Sequence, residues 1–579
     1  MNGPVVVALL LLLAACGETN KQTHGGTTPP EPMQGGSGGR TLELPVAGSD
    51  TGGTGGSGPV LTCADEQSSV GCEFYSARPP GAEIVSKEDV EGACFAAYVV
   101  NVSPMPVTLG VDYRGRALDI VKLARIPQGE GASLHYEPLP DGMLPPKEVA
   151  VLFLTHRQSS PLRCPSDVGV DAEGAPLEPR GSARSSAFHI HSSAPVAAYD
   201  IFPFGGGPSA ITSATLLLPT RAWGTNYVGI SAYKPNWPEV PSTLQLVASE
   251  DATEITLLPS AGIRAGDGIA AAASAMPQTY QLNRGELLQL AAEDTAELVG
   301  SPIAANKPIG VWGASGCLVI GGEACDSAHQ QIPPIRALGH EYVAVRYRNR
   351  YPTQLEFPPW RIVGAVDGTT LTYDPAPPKG APTTLGAGQM VEFKAGVPFT
   401  VSSQDAEHPF YLASYMFGCA SSALNPGFAA GEWECRGDPE FVNVIPTAQF
   451  MDQYVFFTDP TYPETSLVVT RRKGENGFAD VTLDCLGPIS DWKAVGTSGE
   501  YEYAYVTLVS GNFEPQGKCD NGRHELSSAG SVGLTVWGWG NGASGELGSP
   551  TYSQAVSYAY PAGASVQLIN DVVVPPVVK

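Results

Sequence analysis

A ten-residue phrase occurs three times in the chain: a proline, seven residues, then Tyr-Val. It reads PTRAWGTNYV at Pro219–Val228, PIRALGHEYV at Pro334–Val343 and PTAQFMDQYV at Pro446–Val455. The copies begin 115 and 112 residues apart. A similar strand pattern surrounds each copy, so the phrase marks an internal repeat. A chain of 579 residues can bury several such units.

The repeats read as β structure. Gly (67) and Pro (52) are enriched and charged residues make up only 16%, so short apolar segments alternate with turn residues and long amphipathic helical runs are missing. The predicted fold is all-β: tandem antiparallel sandwich-like units at 94–204, 215–316, 330–418 and 440–541. The alternative is a propeller-like closed ring, because two four-stranded blades per repeat fit the same strand count. Ahead of the first phrase, strands are expected at Phe95–Val102, Val107–Tyr113, Val149–Thr155, Ala187–Ile190 and Val196–Ile201. Within each repeat the phrase leads into a strand such as Tyr227–Tyr233. A hairpin with an acidic turn is expected next, Leu246–Leu257 and Ile362–Tyr373, in which Asp251 matches Asp367 and Thr253 matches Thr369. A second turn puts Gly285 and Gly388 where positive φ is needed. A proline-led strand closes the unit: Pro195–Tyr199, Pro308–Trp312 and Pro409–Tyr415, with Ser531–Trp537 as a degenerate copy.

The net charge of −25 excludes nucleic acid as a partner, since that requires a basic face. An acidic surface keeps a secreted chain soluble. Ten of the eleven cysteines fall into sequence-order pairs: Cys63/Cys72, Cys94/Cys164, Cys317/Cys325, Cys419/Cys435 and Cys485/Cys519. An even set in an exported chain reads as disulfides. Metal binding is the poorer reading, because no CxxC spacing occurs. Cys317/Cys325 and Cys419/Cys435 occupy the same place in two repeats, between the proline-led strand and the next phrase. Each closed loop would contribute roughly 2–4 kcal/mol.

The eleventh cysteine has a different setting. Val5–Ala15 is an apolar run too short to span a bilayer, and it ends in Leu13-Ala14-Ala15-Cys16. That ending resembles the bacterial lipobox, although Met1–Pro4 carries no basic residue. The resemblance implies a signal peptide at 1–15, lipidation of Cys16, and a protein anchored to the outer membrane at the cell surface. Residues 16–58 follow as a Gly/Ser/Thr/Pro tether with a root-mean-square span of roughly 35 Å. A cysteine-closed entry segment at 59–93, the repeated body at 94–545 and a C-terminal extension at 546–579 complete the chain.

Few residues suggest chemistry. His189 and His191 alternate on one strand and share a face, but sequence shows no third ligand beside them, so no metal site is assigned. His329 and His340 flank the second phrase without a nucleophile motif. Asp251, Asp367 and Glu250 are candidate Ca²⁺ ligands at turn tips. Their loops lack the alternating oxygens of good calcium sites, and turn chemistry explains them as well. Arg436-Gly437-Asp438 spells an adhesion tripeptide beside Cys435, where a chance match within a turn is the plainer reading. Trp537, Trp539, Tyr558 and Tyr560 form either a glycan platform or core. With neither a carboxylate pair nor a Ser/His/Asp arrangement, catalysis is not expected.

Several stretches carry a family resemblance: SAPVAAYDI, SATLLLPTRAWGTNYV, NKPIGVWGASGC, CDSAHQQIPPIRALGHEYV, GDPEFVNVIPTAQFMDQYVFFT and SVGLTVWGWG. In order and spacing they resemble the IgGFc-binding protein N-terminal domain family over roughly 90–545. The resemblance implies an extracellular β-rich binding or adhesion module. It does not imply recognition of IgG Fc, for which no residue here stands out. The expected function is therefore a lipid-anchored surface binding protein with a protein or polysaccharide ligand. An envelope enzyme or glycan-processing protein, and a passive structural component, are the alternatives.

Overall fold

The computed structural model describes residues 63, 68–81, 92–129, 133–157, 160, 162–170, 181–205, 211–321, 326–351, 355–418, 420–421, 433–434, 436–541, 553 and 556–577. Cys16, the signal segment and the tether lie outside them, as do Cys325, Cys419 and Cys435.

The chain is almost entirely antiparallel β-sheet. Each of four units is built on one long bent strand: Phe188–Phe202 in the first, Pro302–Leu318 in the second and Gly522–Trp539 in the fourth. In the third unit the bend opens, and Phe399–Ser403 and Phe410–Met416 take its place. The first half of each long strand pairs with an entry strand: Val70–Ser76, Gly224–Val228, Glu341–Ala344 or Met451–Thr458. On its other side lies Val107–Tyr113, Thr253–Leu257, Thr369–Asp374 or Val481–Leu483. The second half pairs with a central strand: Phe95–Asn101, Thr243–Ala248, Pro359–Gly364 or Glu464–Arg472. Its other neighbour is an exit strand: Ser213–Leu217, Asp326–Ile332, Glu440–Asn443 or Ser557–Pro561. Two sheets sharing one bent strand make each unit a curled half-barrel, with the apolar core between them.

Two local expectations change. Pro195 and Pro308 do not begin strands. They sit inside the long strands, between the stretch that pairs with one sheet and the stretch that pairs with the other. At that bend the residue makes no ladder bond, so a proline without an N–H costs nothing there. The acidic-turn segments are not hairpins either. Thr243–Ala248 and Thr253–Leu257 pair with opposite halves of the same long strand and not with each other, and Pro359–Gly364 and Thr369–Asp374 behave alike. The turn carries the chain from one sheet to the facing one. Alternation is the same in an arch as in a hairpin, so the pattern alone does not separate them.

The phrase performs the same two tasks in each copy. Its tyrosine is buried, and its hydroxyl accepts a backbone N–H three residues upstream while donating to a carbonyl of the long or split strand. Tyr227 accepts from Gly224 at 2.9 Å and donates to Ile309 at 2.6 Å. Tyr342 accepts from Gly339 at 3.1 Å and donates to Phe410 at 2.5 Å. Tyr454 accepts from Met451 at 3.2 Å and donates to Val532 at 2.5 Å. Its proline packs on the preceding unit's entry strand. A Cβ on Gly71, Gly224 or Gly339 would lie 2.5, 2.5 or 2.3 Å from the Cβ of Pro219, Pro334 or Pro446. The fourth unit has Met451 at this position, and Met451 packs against Gly563.

These contacts close a ring. The exit strands touch in cyclic order, first to second to third to fourth and back to the first. Between the fourth and first units, Ser69 N–H donates to Ala564 O at 2.8 Å and Ala564 N–H to Ser69 Oγ at 3.0 Å. The C-terminal segment then runs back over the phrases. Ser565 bonds Gln449, Asn570 bonds the carbonyls of Ile335 and Leu338, and Val574 exchanges two bonds with Asn226. Disulfides join Cys63 to Cys72, Cys94 to Cys164 and Cys485 to Cys519. Cys317 is disulfide-bonded as well.

Candidate functional site

The exit strands are unusually polar, and the ring explains why. Their side chains meet at its centre, where Asp326, Glu440, Asp438, Gln330 and His329 are all buried. Thr212 N–H donates to Asp326 Oδ1 at 3.1 Å, and Ser213 Oγ–H to Glu440 Oε1 at 3.2 Å. Gln330 Nε2 bridges the carbonyls of Ala214 and Ala559. Burial pushes the Asp326 carboxyl well above the usual range, and the nearby Asp438 and Glu440 raise it further. Burial does the same to Glu440, against hydrogen bonds from Phe441 N–H and Ser213. Like charges in a dry interior hold protons instead of ionising together. This centre joins four units by hydrogen bonds.

Beside it, Leu216, Leu218, Tyr342, Tyr411, Pro446 and Val566 contribute to a mostly apolar, partly open pocket. The second and third phrases, the exit strands and the C-terminal segment together form its walls, so it belongs to the scaffold's junction.

A second polar assembly lies on the surface of the first unit. His189 faces Asp112 across one strand pair and Tyr75 across the other. Glu73 pairs with His191 in register, and its carboxylate reaches diagonally to His189 on the same face. His189 Nδ1 lies 3.3 Å from Asp112 Oδ2, while its Nε2 bonds Glu73 Oε2. His191 Nε2 is 3.5 Å from the same Asp112 oxygen. Tyr75 stacks on the His189 ring at 4.8 Å, and Arg284 donates to the Tyr75 hydroxyl at 3.1 Å. The two carboxylates come from residues 116 and 77 positions away. Linear sequence does not show them, although a His-x-His pair on a central strand invites a search of both neighbouring strands.

The remaining candidates take structural places. Asp251 Oδ1 accepts the Arg284 N–H at 3.0 Å and Asp367 Oδ1 the Ala387 N–H at 2.8 Å, each fixing the residue before a glycine with positive φ, Gly285 or Gly388. Thr253 and Thr369 donate to carbonyls three residues earlier, at Glu250 and Val366. His329 is stacked on Trp312, and its Nε2 lies 3.1 Å from Gln245 Oε1; His340 is exposed. Trp537, Trp539, Tyr558 and Tyr560 are at most 2% exposed, which removes the glycan-platform reading: both faces of that sheet are covered. Asp438 is buried, its N–H bonds Ser557 Oγ, and the Arg436 carbonyl accepts from Arg350. The tripeptide is packed against Arg350 and Ser557 and is not a displayed adhesion motif. Among the described residues, Asp484, Cys485 and His524 bring three ligand-type atoms within 4.8 Å, but Cys485 is committed to its bridge with Cys519.

The described residues form a ring of repeated antiparallel half-barrels braced by disulfides, which defines a repeated all-β scaffold protein. The chain belongs to the IgGFc binding protein family, whose family model matches residues 213–538. Human IgGFc-binding protein is 26% identical over 296 residues, which is 51% of this chain and 5% of that protein. The chain therefore corresponds to a small part of that relative. A solved anti-sigma factor domain-containing protein from Clostridium clariflavum aligns with 81% of this chain and 99% of its own, at 9% identity and a TM-score of 0.10. A likeness of that size carries no argument.

Proposed function

We propose that this chain is a lipid-anchored cell-surface protein that binds a protein partner. The observation that carries the reading is the family match over the three phrases and the units they begin. A binding role also suits a rigid ring whose chemistry is spent on holding itself together, leaving the loops between strands to meet a partner. The lipobox-like ending at Cys16 supports the anchor, and the long tether would hold the ring clear of the lipid surface.

Photocrosslinking on intact cells tests the binding role, with the crosslinker placed at exposed loop positions such as Glu407 and Lys518. A crosslinked protein adduct at some positions and not others is expected, and adducts at none of a set covering every unit would refute it. The anchor is tested separately. Cys16→Ala is expected to move the protein from the membrane fraction to the soluble fraction, and retention in the membrane would refute lipidation.

A further inference from the structure

We propose that His189, His191 and Asp112 form a binding site for a divalent transition metal, with zinc as the best match. A zinc ion held tetrahedrally by nitrogen and oxygen at its usual bond lengths sets its ligand atoms about 3.4 Å apart. Asp112 Oδ2 lies 3.3 Å from His189 Nδ1 and 3.5 Å from His191 Nε2. Two edges of the coordination polyhedron therefore already exist. The third, between the two histidine nitrogens, is longer than 4.8 Å, wider than a metal would hold it. His191 is the partner able to close it. Its side chain is 42% exposed, and its ring lies over Gly110, where a Cβ would come within 2.3 Å of the imidazole Cε1.

Hydrogen bonding on the far side of His189 supports the same assignment. Glu73 occupies Nε2. With a metal on Nδ1, the Nε2–H would donate to Glu73, which fixes the orientation of the ring and strengthens it as a ligand. Metal-bound histidines regularly have a carboxylate on the second nitrogen for this reason. Tyr75 stacked on the ring and Arg284 near Glu73 hold the arrangement in place. The disulfide Cys63–Cys72 fastens the strand next to Glu73. Asp112 and Glu73 set two carboxylates against the single guanidinium of Arg284, a balance that favours a cation. One oxygen and two nitrogens suit zinc better than calcium, which prefers six or more oxygens.

Isothermal titration calorimetry on the full-length protein, purified without a histidine tag and stripped with chelator, tests the site. One zinc ion is expected to bind, and calcium is expected not to compete. His191→Ala and Asp112→Asn are each expected to weaken zinc at least tenfold. Glu73→Gln, a positioning change, is expected to weaken it roughly 10–100-fold. Circular dichroism establishes that each variant is folded, and cobalt substitution is expected to give tetrahedral absorption bands that Asp112→Asn abolishes. The proposal is overturned if the wild-type protein has no zinc site tighter than about 1 mM. It is equally overturned if His191→Ala and Asp112→Asn leave the affinity unchanged, or if His524→Ala alone removes binding.

Discussion

Replacing Tyr227 with phenylalanine tests the role assigned to the repeated phrase. The ring stays and only the hydroxyl is lost, so packing is nearly unchanged. The hydroxyl is 2.9 Å from the Gly224 N–H and 2.6 Å from the Ile309 carbonyl, in a side chain 1% exposed. Both backbone groups are deprived of that partner in a place water does not reach. Leaving a buried polar group unsatisfied costs about 1–3 kcal/mol. The carbonyl keeps a second lone pair for its strand partner, so the two losses together come to about 2–4 kcal/mol. Guanidinium unfolding followed by tryptophan fluorescence measures this. Tyr503→Phe is the control, because Tyr503 is half-exposed and its change should stay within about 0.5 kcal/mol. Tyr342→Phe and Tyr454→Phe should match Tyr227→Phe, since the same bonds recur in their units. If Tyr227→Phe shifts the midpoint no further than Tyr503→Phe, the phrase is not an entry-strand clamp.

Three further outcomes follow from the contacts between units. Gly339→Ala sets a methyl 2.3 Å from the Cβ of Pro446; the pyrrolidine cannot swing away, so a loss of about 1–3 kcal/mol is expected. Gly474→Ala, whose nearest described atom is 3.6 Å away, should be nearly neutral, and equal losses in denaturation midpoint would refute the argument. Arg361 is 3% exposed, bonds Glu297 at 2.6 Å and Glu392 at 3.0 Å, and lies over Tyr233. Arg361→Met should cost about 3 kcal/mol by leaving carboxylates unpaired between the second and third units, and a loss under about 1 kcal/mol would show the pairs to be solvent-screened. The third outcome concerns pH. Asp326 and Glu440 have folded-state pKa values raised above their unfolded ones, so their contribution is present below the unfolded values and is lost as pH rises through the folded ones. The wild-type midpoint should be higher at pH 5 than at pH 8, and Asp326→Asn should narrow that difference. An unchanged difference would show that the central carboxyls do not govern it.

Much of the class was legible in the chain. Turn residues between short apolar runs indicate sheet, and the three phrases mark where units begin. Gly285 and Gly388 have the positive φ their turns demanded. Other features escaped for definite reasons. The first unit's entry strand, Val70–Ser76, pairs like the others but has no phrase ahead of it; Gly71 takes the place of Gly224 and Phe74 that of Tyr227. The central exit strands contain Asp326, Gln330, Gln331 and Glu440, which read as surface residues because polar side chains are seldom buried. The other exit strands supply hydroxyls and backbone groups that meet part of their hydrogen-bonding capacity, while Asp326 Oδ2, Gln330 Oε1 and Glu440 Oε2 are left without a hydrogen bond among the described residues.

The sequence by itself determined what depends on neighbours along the chain. Strand period, turn glycines, the tolerance for proline at a bend and the repetition of units are all local, because a few residues set the backbone conformations that produce them. Tertiary structure decided what depends on residues brought together from far apart. It made arches of the acidic turns, closed four units into a ring, placed a proline of one unit on a glycine of the last, and set Glu73 and Asp112 around His189. Strand pairing is the physical reason: a β-strand specifies which face each side chain occupies, but which strand lies alongside it is settled only when the sheets close.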